Sequence, residues 1–290
     1  MFDATIEARS RLPSVLTGKM VSEWDAIQNN SSPLTIARLS EEFADCGLNA
    51  GQTVIVHTSM KKLGWVCGGA ETVIRALLER LGSSGTLVMP THTTDNTDPS
   101  SWENPPIPQS WWQIVRQNQP AFNPAITPTR GLGVIPELFR TFPGARRSNH
   151  PILSFAALGS RAETIVADHA LEEGLGDRSP LGQLYDLDGY ILLLGVGHES
   201  NTSLHLAEYR ARFPGKQYFQ QGTAMLVNGA RQWVEFETLE LDAEDFERLG
   251  TAYEAEQHIS PCRIGNAEVR LLKQRPLVDW AVQWIQEHRD

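Results

Sequence analysis

The stretch Gly189-Tyr-Ile-Leu-Leu-Leu-Gly195-Val-Gly197-His198-Glu199-Ser200-Asn201-Thr-Ser-Leu-His205-Leu-Ala-Glu208-Tyr209 decides how this chain reads. Tyr190 to Leu194 is a short apolar run of β-forming residues, a candidate buried strand, and Gly195 and Gly197 break it. Ser200 to Thr202 then offer N-cap side chains to a helix that carries His205 and Glu208. Strand, tight turn and helix in that order bring two titratable groups to the end of a strand, where open α/β sheets hold their ligands. His205 and Glu208 are three residues apart and share one helical face. On local grounds the pair is either a surface contact worth about 0.2–0.5 kcal/mol, or a base with the carboxylate that orients it.

Upstream, Ser32 or Thr35 can cap a helix through Leu39, Phe43 and Cys46, which Gly47 and Gly51 terminate, and Gln52 to His57 reads as a buried strand. A loop holding Thr58, Ser59, Met60, Trp65 and Gly68-Gly69 leads into a helix from about Ala70 to Leu81. The glycine pair makes either a tight turn or a phosphate cradle at a helix N-terminus, and the loop carries no GxxxxGK[ST] motif. Gly85 to Pro90 is a further short strand that ends in the polar cluster Thr91-His92-Thr93-Thr94. A helix between two such strands implies a βαβ unit. Residues 95–130, with three tryptophans and seven prolines, read as a long irregular segment: a candidate substrate cover, or a structural wrap. Arg146 and Arg147 could meet phosphates or simply face solvent.

Beyond Glu208, Tyr218 to Leu226 and Gln232 to Leu239 alternate around Asn228-Gly229, a hairpin signal. Helices follow over 242–258 and 276–288, with an extended run at 262–271 between them. The expected architecture is one α/β domain over residues 32–290 with a mixed, partly antiparallel sheet flanked by helices, preceded by an arm over residues 1–31.

With 41% hydrophobic and 21% charged residues the chain can bury a large core. A net charge of -10 argues against nucleic acid or an anionic membrane as partner and favours a cationic small molecule. Cys46, Cys67 and Cys262 show no CxxC spacing, so neither a disulfide scaffold nor a zinc site is expected, and a reduced cytoplasm is the natural setting. The start of the sequence lacks an apolar signal segment, and no run approaches the roughly 20 apolar residues of a membrane span. Gly195-Val-Gly-His-Glu-Ser200 misses the dinucleotide fingerprint at its third glycine, and there is no GxSxG elbow. His198 and His205 with their glutamates lack HExxH spacing, so no metal is expected.

Several ordered blocks then decide between the readings. His57-Thr-Ser-Met60, Leu63-Gly-Trp65-Val with Gly68-Gly69-Ala-Glu-Thr72, and Gly85-Thr-Leu-Val-Met-Pro-Thr91 resemble the N-terminal signature of the aminoglycoside 3-N-acetyltransferase family. Phe122-Asn-Pro with Thr127-Pro128, Gly133-Val-Ile-Pro-Glu137-Leu-Phe-Arg140, Arg147-Ser-Asn-His150-Pro with Ser154-Phe155, and Ser179-Pro-Leu-Gly-Gln-Leu-Tyr185 continue the resemblance in order, over about residues 35 to 285. Asn123, where an acidic residue is frequent, and Glu199, where aspartate is frequent, depart from it.

The resemblance implies a fold distinct from the GNAT acyltransferases and acetyl transfer from acetyl-coenzyme A, without a metal, to a ring amine of an aminoglycoside. It places the family's HxxE histidine and glutamate at His205 and Glu208. It further implies that His57, Thr58, Ser59, Met60, Gly68, Gly69 and Thr93 hold the coenzyme, and that Trp65, Glu199 and Asn201 meet the acceptor. His198 falls at a variable position and takes no catalytic role. Chemically, an amine with a pKa near about 10.4 must lose a proton to attack a thioester, and histidine, near about 6.5, is suited to take it. Hydroxyls and amides at Thr58-Ser59 or at Thr91 to Thr94 are candidate oxyanion donors, and no activated serine or cysteine suggests an acyl-enzyme. The competing readings are an N-acyltransferase of the same fold acting on another amine, a thioester hydrolase, and a non-catalytic binding protein.

Overall fold

The apolar runs fold into a seven-stranded sheet of order β3-β4-β2-β1-β5-β9-β8. In the computed structural model, which describes residues 32–289 with residues 23, 24, 26–28 and 30, the strands are β1 (Thr53–Thr58), β2 (Thr86–Pro90), β3 (Arg146–Arg147), β4 (Phe155–Gly159), β5 (Tyr190–Leu194), β8 (Cys262–Ile264) and β9 (Ala267–Lys273). β6 (Tyr218–Val227) and β7 (Ala230–Leu239) form a separate two-stranded sheet. The expected arm over residues 1–31 lies almost wholly outside the described residues. β2, β1 and β5 run parallel at the centre, and β4 and β9 join them antiparallel, so the sheet is mixed as the sequence suggests.

The helices are α1 (Ile36–Asp45), α2 (Met60–Leu63), α3 (Gly69–Leu81), α4 (Gln109–Asn118), α5 (Val134–Phe139), α6 (Ala162–Ala167), α7 (Pro180–Asp186), α8 (Ser203–Arg210), α9 (Phe246–Glu256) and α10 (Gln274–His288). They cover the sheet on both sides, which is why the central strands are apolar throughout instead of alternating. Val54, Val56, Leu192 and Leu194 point to a core shared with α1, α3 and α5. Ile55, Ile191 and Leu193 point to the opposite core, shared with α6 to α10. Successive strand residues thus feed two different hydrophobic layers.

Several elements differ from expectation. Residues 95–130 contain the ten-residue helix α4, framed by Pro108 at its N-cap and Pro120 just beyond its C-cap. Proline is tolerated at a helix start and unfavourable after it, so the prolines that signal irregularity also delimit a helix. Thr35, not Ser32, caps α1, its hydroxyl accepting from the Arg38 amide. The hairpin forms as expected, with Asn228 and Gly229 at φ 52° and 80°. It binds the 95–130 segment through the Thr223 hydroxyl on the Asn96 carbonyl (2.7 Å) and the Phe122 amide on the Ala224 carbonyl (2.9 Å).

The cysteine expectation is corrected: Cys46 and Cys262, 216 positions apart, are joined as a disulfide between the end of α1 and the edge strand β8, and Cys67 is free. Sequence spacing carries no sign of a pairing that only the meeting of α1 with the sheet edge creates. Among the described residues, no helix is long and apolar enough to cross a membrane.

Candidate active site

β1 and β5 are parallel neighbours, but the helices that follow them lie on opposite faces: α3 packs into one core and α8 into the other. Their C-terminal ends therefore lie at a topological switch point, where α/β sheets form their ligand crevice. His57 to Met60 leave β1 there, Thr91 to Thr94 leave β2, and Gly195 to Asn201 leave β5.

α8 carries the central pair. Its N-terminus is capped by Asn201, whose side-chain oxygen accepts from the Ser203 amide at 3.2 Å, and not by the Ser200 or Thr202 hydroxyls. His205 Nδ1 and Glu208 Oε2 lie 2.7 Å apart, with the imidazole 13% and the carboxylate 1% exposed. A surface pair would leave both groups wet, so this carboxylate is a built part of the interior. Glu208 Oε1 accepts from the Asp242 amide (3.0 Å) and from Arg289 Nη1 (2.6 Å). A carboxylate can only accept, so a neutral imidazole bonded to it through Nδ1 carries its proton there and its lone pair on Nε2. Among the described residues Nε2 has no partner. Phe246 supports the ring, centroid to centroid at 4.7 Å.

Other imidazoles surround the crevice. His57 is buried and lies 3.4 Å from the Thr202 hydroxyl, and burial lowers its pKa to about 3. His92 is lowered to about 3, first by burial and then by the charges of His57, His150, His205 and Arg147, and its buried Nε2 has no hydrogen-bond partner among the described residues. Burial lowers His150 to about 4, against the opposing hydrogen bond to Leu171. Buried polar atoms are normally satisfied, so the orphan on His92 marks a place where a ligand can complete the bonding. In the sequence His92 is one residue of the polar cluster Thr91-His92-Thr93-Thr94, with nothing local to single it out.

The remaining expected positions divide. Thr58, Ser59 and Met60 are half-buried at the crevice, and the Ser59 amide donates to the Leu194 carbonyl at 2.9 Å. Gly68 and Gly69 start α3 at φ 81° and 62°, in the left-handed region. Thr93, expected at the coenzyme, is fully buried and its hydroxyl donates to the Pro151 carbonyl at 2.6 Å. Glu199 is exposed: partial burial raises its carboxyl, but bonds from the Gly197 amide and its own amide outweigh this and hold it below the ordinary value. Asn201 is buried as the cap of α8, and Trp65 lines a groove of about 310 Å³ with Ile27, Asn30, Ser32 and Pro33.

Arg147 is settled differently from the sequence reading. Its guanidinium donates to the Thr91 hydroxyl and carbonyl, the Ser154 hydroxyl and the carbonyls of Pro124 and Thr127. With four of its five N–H donors spent inside the protein, it ties the end of β2 to the 95–130 segment. Buried His198 is likewise structural, bonded to Glu254 at 2.8 Å, and Gly250 leaves the space its ring occupies.

Three cavities adjoin the site. One of about 500 Å³ is lined by Glu208, Phe213, Glu240, Asp242, Glu244 and Arg289. A second, about 520 Å³, shares Glu240 and Leu241 with it and reaches His150 and Phe236. A third, about 950 Å³, shares Ser101 with the second and is walled by the 95–130 segment, including Trp102 and Ile114. Shared lining residues make them neighbours. Among the described residues, no group of three His, Cys, Asp or Glu side chains is placed to hold a metal ion.

An imidazole backed by a buried carboxylate near the strand ends of a mixed α/β sheet is an arrangement suited to acid–base chemistry. The chain belongs to the aminoglycoside 3-N-acetyltransferase family, whose sequence model matches residues 55–286. It is 43% identical over 260 residues to the SPbeta prophage-derived aminoglycoside N(3')-acetyltransferase-like protein YokD of Bacillus subtilis strain 168, covering 89% of this chain and 95% of that one. The crystal structure of YokD superposes with a TM-score of 0.89 at 42% identity, over 91% of this chain and 98% of that one. Aminoglycoside N(3)-acetyltransferase VII of Streptomyces paromomycinus is 35% identical over 283 residues, covering 92% and 96% of the two chains. A structure of AAC-IIIb with CoASH superposes at a TM-score of 0.80 and 29% identity, over 89% and 98%.

Proposed function

We propose that this protein transfers the acetyl group of acetyl-coenzyme A directly to the 3-amino group of an aminoglycoside, with His205 as general base. The observation that carries this is the 2.7 Å bond between His205 Nδ1 and the buried Glu208 carboxylate, which leaves Nε2 as the free lone pair. The acceptor reacts as the free amine, its ammonium proton lost to solvent, and Nε2 takes a further proton from it as its nitrogen bonds the thioester carbon. The C–S bond then breaks, and the departing thiolate takes that proton from the imidazolium. Glu208 holds the tautomer and stabilises the imidazolium while it exists.

The acceptor is drawn by charge. Glu208, Glu240, Asp242 and Glu244 line the cavity beside the pair, and Glu199 adds an exposed carboxylate at the end of β5. Such a field concentrates a polycation. Trp65 and Asn201 bound the acceptor side, Asn201 by setting the start of α8. The coenzyme lies along His57 to Met60 with its phosphates toward Gly68-Gly69 and the α3 N-terminus, where backbone amides and the helix dipole favour anions. Thr93 contributes to that wall by packing alone. The segment over 95–130 covers the substrates, walling the cavity of about 950 Å³. A donor made inside the cell places the working compartment in the cytoplasm.

Release of free thiol from acetyl-coenzyme A, measured with and without a panel of aminoglycosides, tests the reaction. His205→Ala should abolish turnover while acetyl-coenzyme A still binds. Activity within a few-fold of wild type would remove His205 from the base role, and thiol release without any amine would make the protein a hydrolase.

A further inference from the structure

We propose that Arg289 is a positioning residue for the reaction: it fixes the Glu208 carboxylate so that one oxygen only is offered to His205. This rests on the reading of His205 and Glu208 given above.

Glu208 lies on α8, one turn from His205, and its side chain has three rotatable bonds. What immobilises it comes from elsewhere in the chain. Arg289, at the C-cap of α10, donates from Nη1 to Glu208 Oε1 at 2.6 Å, and the Asp242 amide reaches the same oxygen at 3.0 Å. Oε2 is left to His205. The guanidinium is itself held in plane: Nε and Nη2 grip the two oxygens of Asp245 at 2.9 and 2.6 Å, and Nη2 also donates to the Asp242 carbonyl at 2.8 Å. Its side chain is 9% exposed and it sits 5.4 Å from the Phe213 centroid and 5.8 Å from that of Phe246.

Phe246 is also the ring that supports His205. Arg289 therefore touches one partner of the pair and the support of the other. Other charges nearby are differently committed: the Lys216 ammonium donates to the carbonyls of Tyr209 and Ala211, and Glu240 and Glu244 line the open cavity. A lysine could neutralise Glu208, but it has no planar fork with which to bind Asp245 and Glu208 at fixed angles. Arg289 thus sets geometry as well as charge, and the free lone pair on His205 Nε2 is its consequence.

A double-mutant cycle tests this, with Arg289→Ala, Arg289→Lys and Glu208→Gln made singly and in combination, and melting temperature followed for each. Arg289→Ala is expected to lower kcat at least about tenfold with the KM for acetyl-coenzyme A within about twofold, and Arg289→Lys to recover part of the loss. In the Glu208→Gln background the same Arg289→Ala change should cost no more than about threefold further, because the group it acts through has gone. Equal fold losses in both backgrounds, or a kcat within about twofold of wild type for Arg289→Ala, would overturn the assignment. Where Arg289→Ala does not fold, Arg289→Lys carries the same comparison, with an expected loss of at least about threefold that Glu208→Gln removes. The two readings fail separately: an active His205→Ala enzyme sinks the base role, whereas an inactive one with additive Arg289 and Glu208 losses sinks this inference alone.

Discussion

Glu208→Gln changes one atom, and its consequence can be worked from the bonds around it. Arg289 Nη1 and the Asp242 amide both donate to the Oε1 position, so the glutamine amide must place its oxygen there. Its NH₂ group then faces His205 Nδ1, where an acceptor stood at 2.7 Å. Nδ1 becomes the acceptor, the ring proton moves to Nε2, and the lone pair that takes the substrate proton is lost. Loss of a charge-assisted hydrogen bond alone costs about 1.5–3 kcal/mol, or roughly 10- to 150-fold. The reversed tautomer in the analogous change of a serine-protease triad costs about 10⁴-fold. We therefore expect kcat to fall about 10²- to 10⁴-fold, less than for His205→Ala, with the melting temperature little changed because the amide oxygen still satisfies Arg289. The assay is thiol release at saturating acetyl-coenzyme A and aminoglycoside, with thermal unfolding as the control. A folded variant with kcat within about threefold of wild type would refute the orienting role of the carboxylate.

Acid should unfold the protein earlier than its carboxylates alone would demand. Burial lowers His57 and His92 to about 3 and His150 to about 4 from an ordinary 6.5, so below 6.5 the unfolded chain binds protons that the native state refuses. The stability is complete above that value and falls as pH drops toward 4, by up to about 1.4 kcal/mol per pH unit for each histidine. Urea midpoints at neutral pH and near pH 5 read this directly, and an unchanged midpoint would contradict it. At the proposed coenzyme loop, Gly68→Ala places a Cβ 2.7 Å from the Thr72 hydroxyl at φ 81°, whereas at Gly69 the added atom meets nothing within 4 Å. Gly68→Ala should raise the KM for acetyl-coenzyme A about fivefold or more and Gly69→Ala less, since the latter bears only backbone strain of about 1–2 kcal/mol. Unchanged KM in both would move the coenzyme away from this loop.

Local pattern determined a good deal of this protein by itself. The runs Gln52 to His57, Gly85 to Pro90 and Tyr190 to Leu194 announced central strands because burial on both faces demands uninterrupted apolar residues. Asn228-Gly229 announced its hairpin because two successive positive φ angles suit few residues. The spacing of His205 and Glu208 put them on one helical face but left open whether that face was wet or buried. Only the tertiary structure decided that, by bringing Asp242 and Arg289 against Glu208 from far along the chain. It also spent most of the donors of Arg147 on backbone carbonyls and hydroxyls, turned Asn201 into a helix cap, and joined Cys46 to Cys262. Periodicity and turn chemistry act between neighbours and so are written in order along the sequence. Whether a charged or polar group is buried, and what satisfies it there, depends on residues that meet only once the layers have packed.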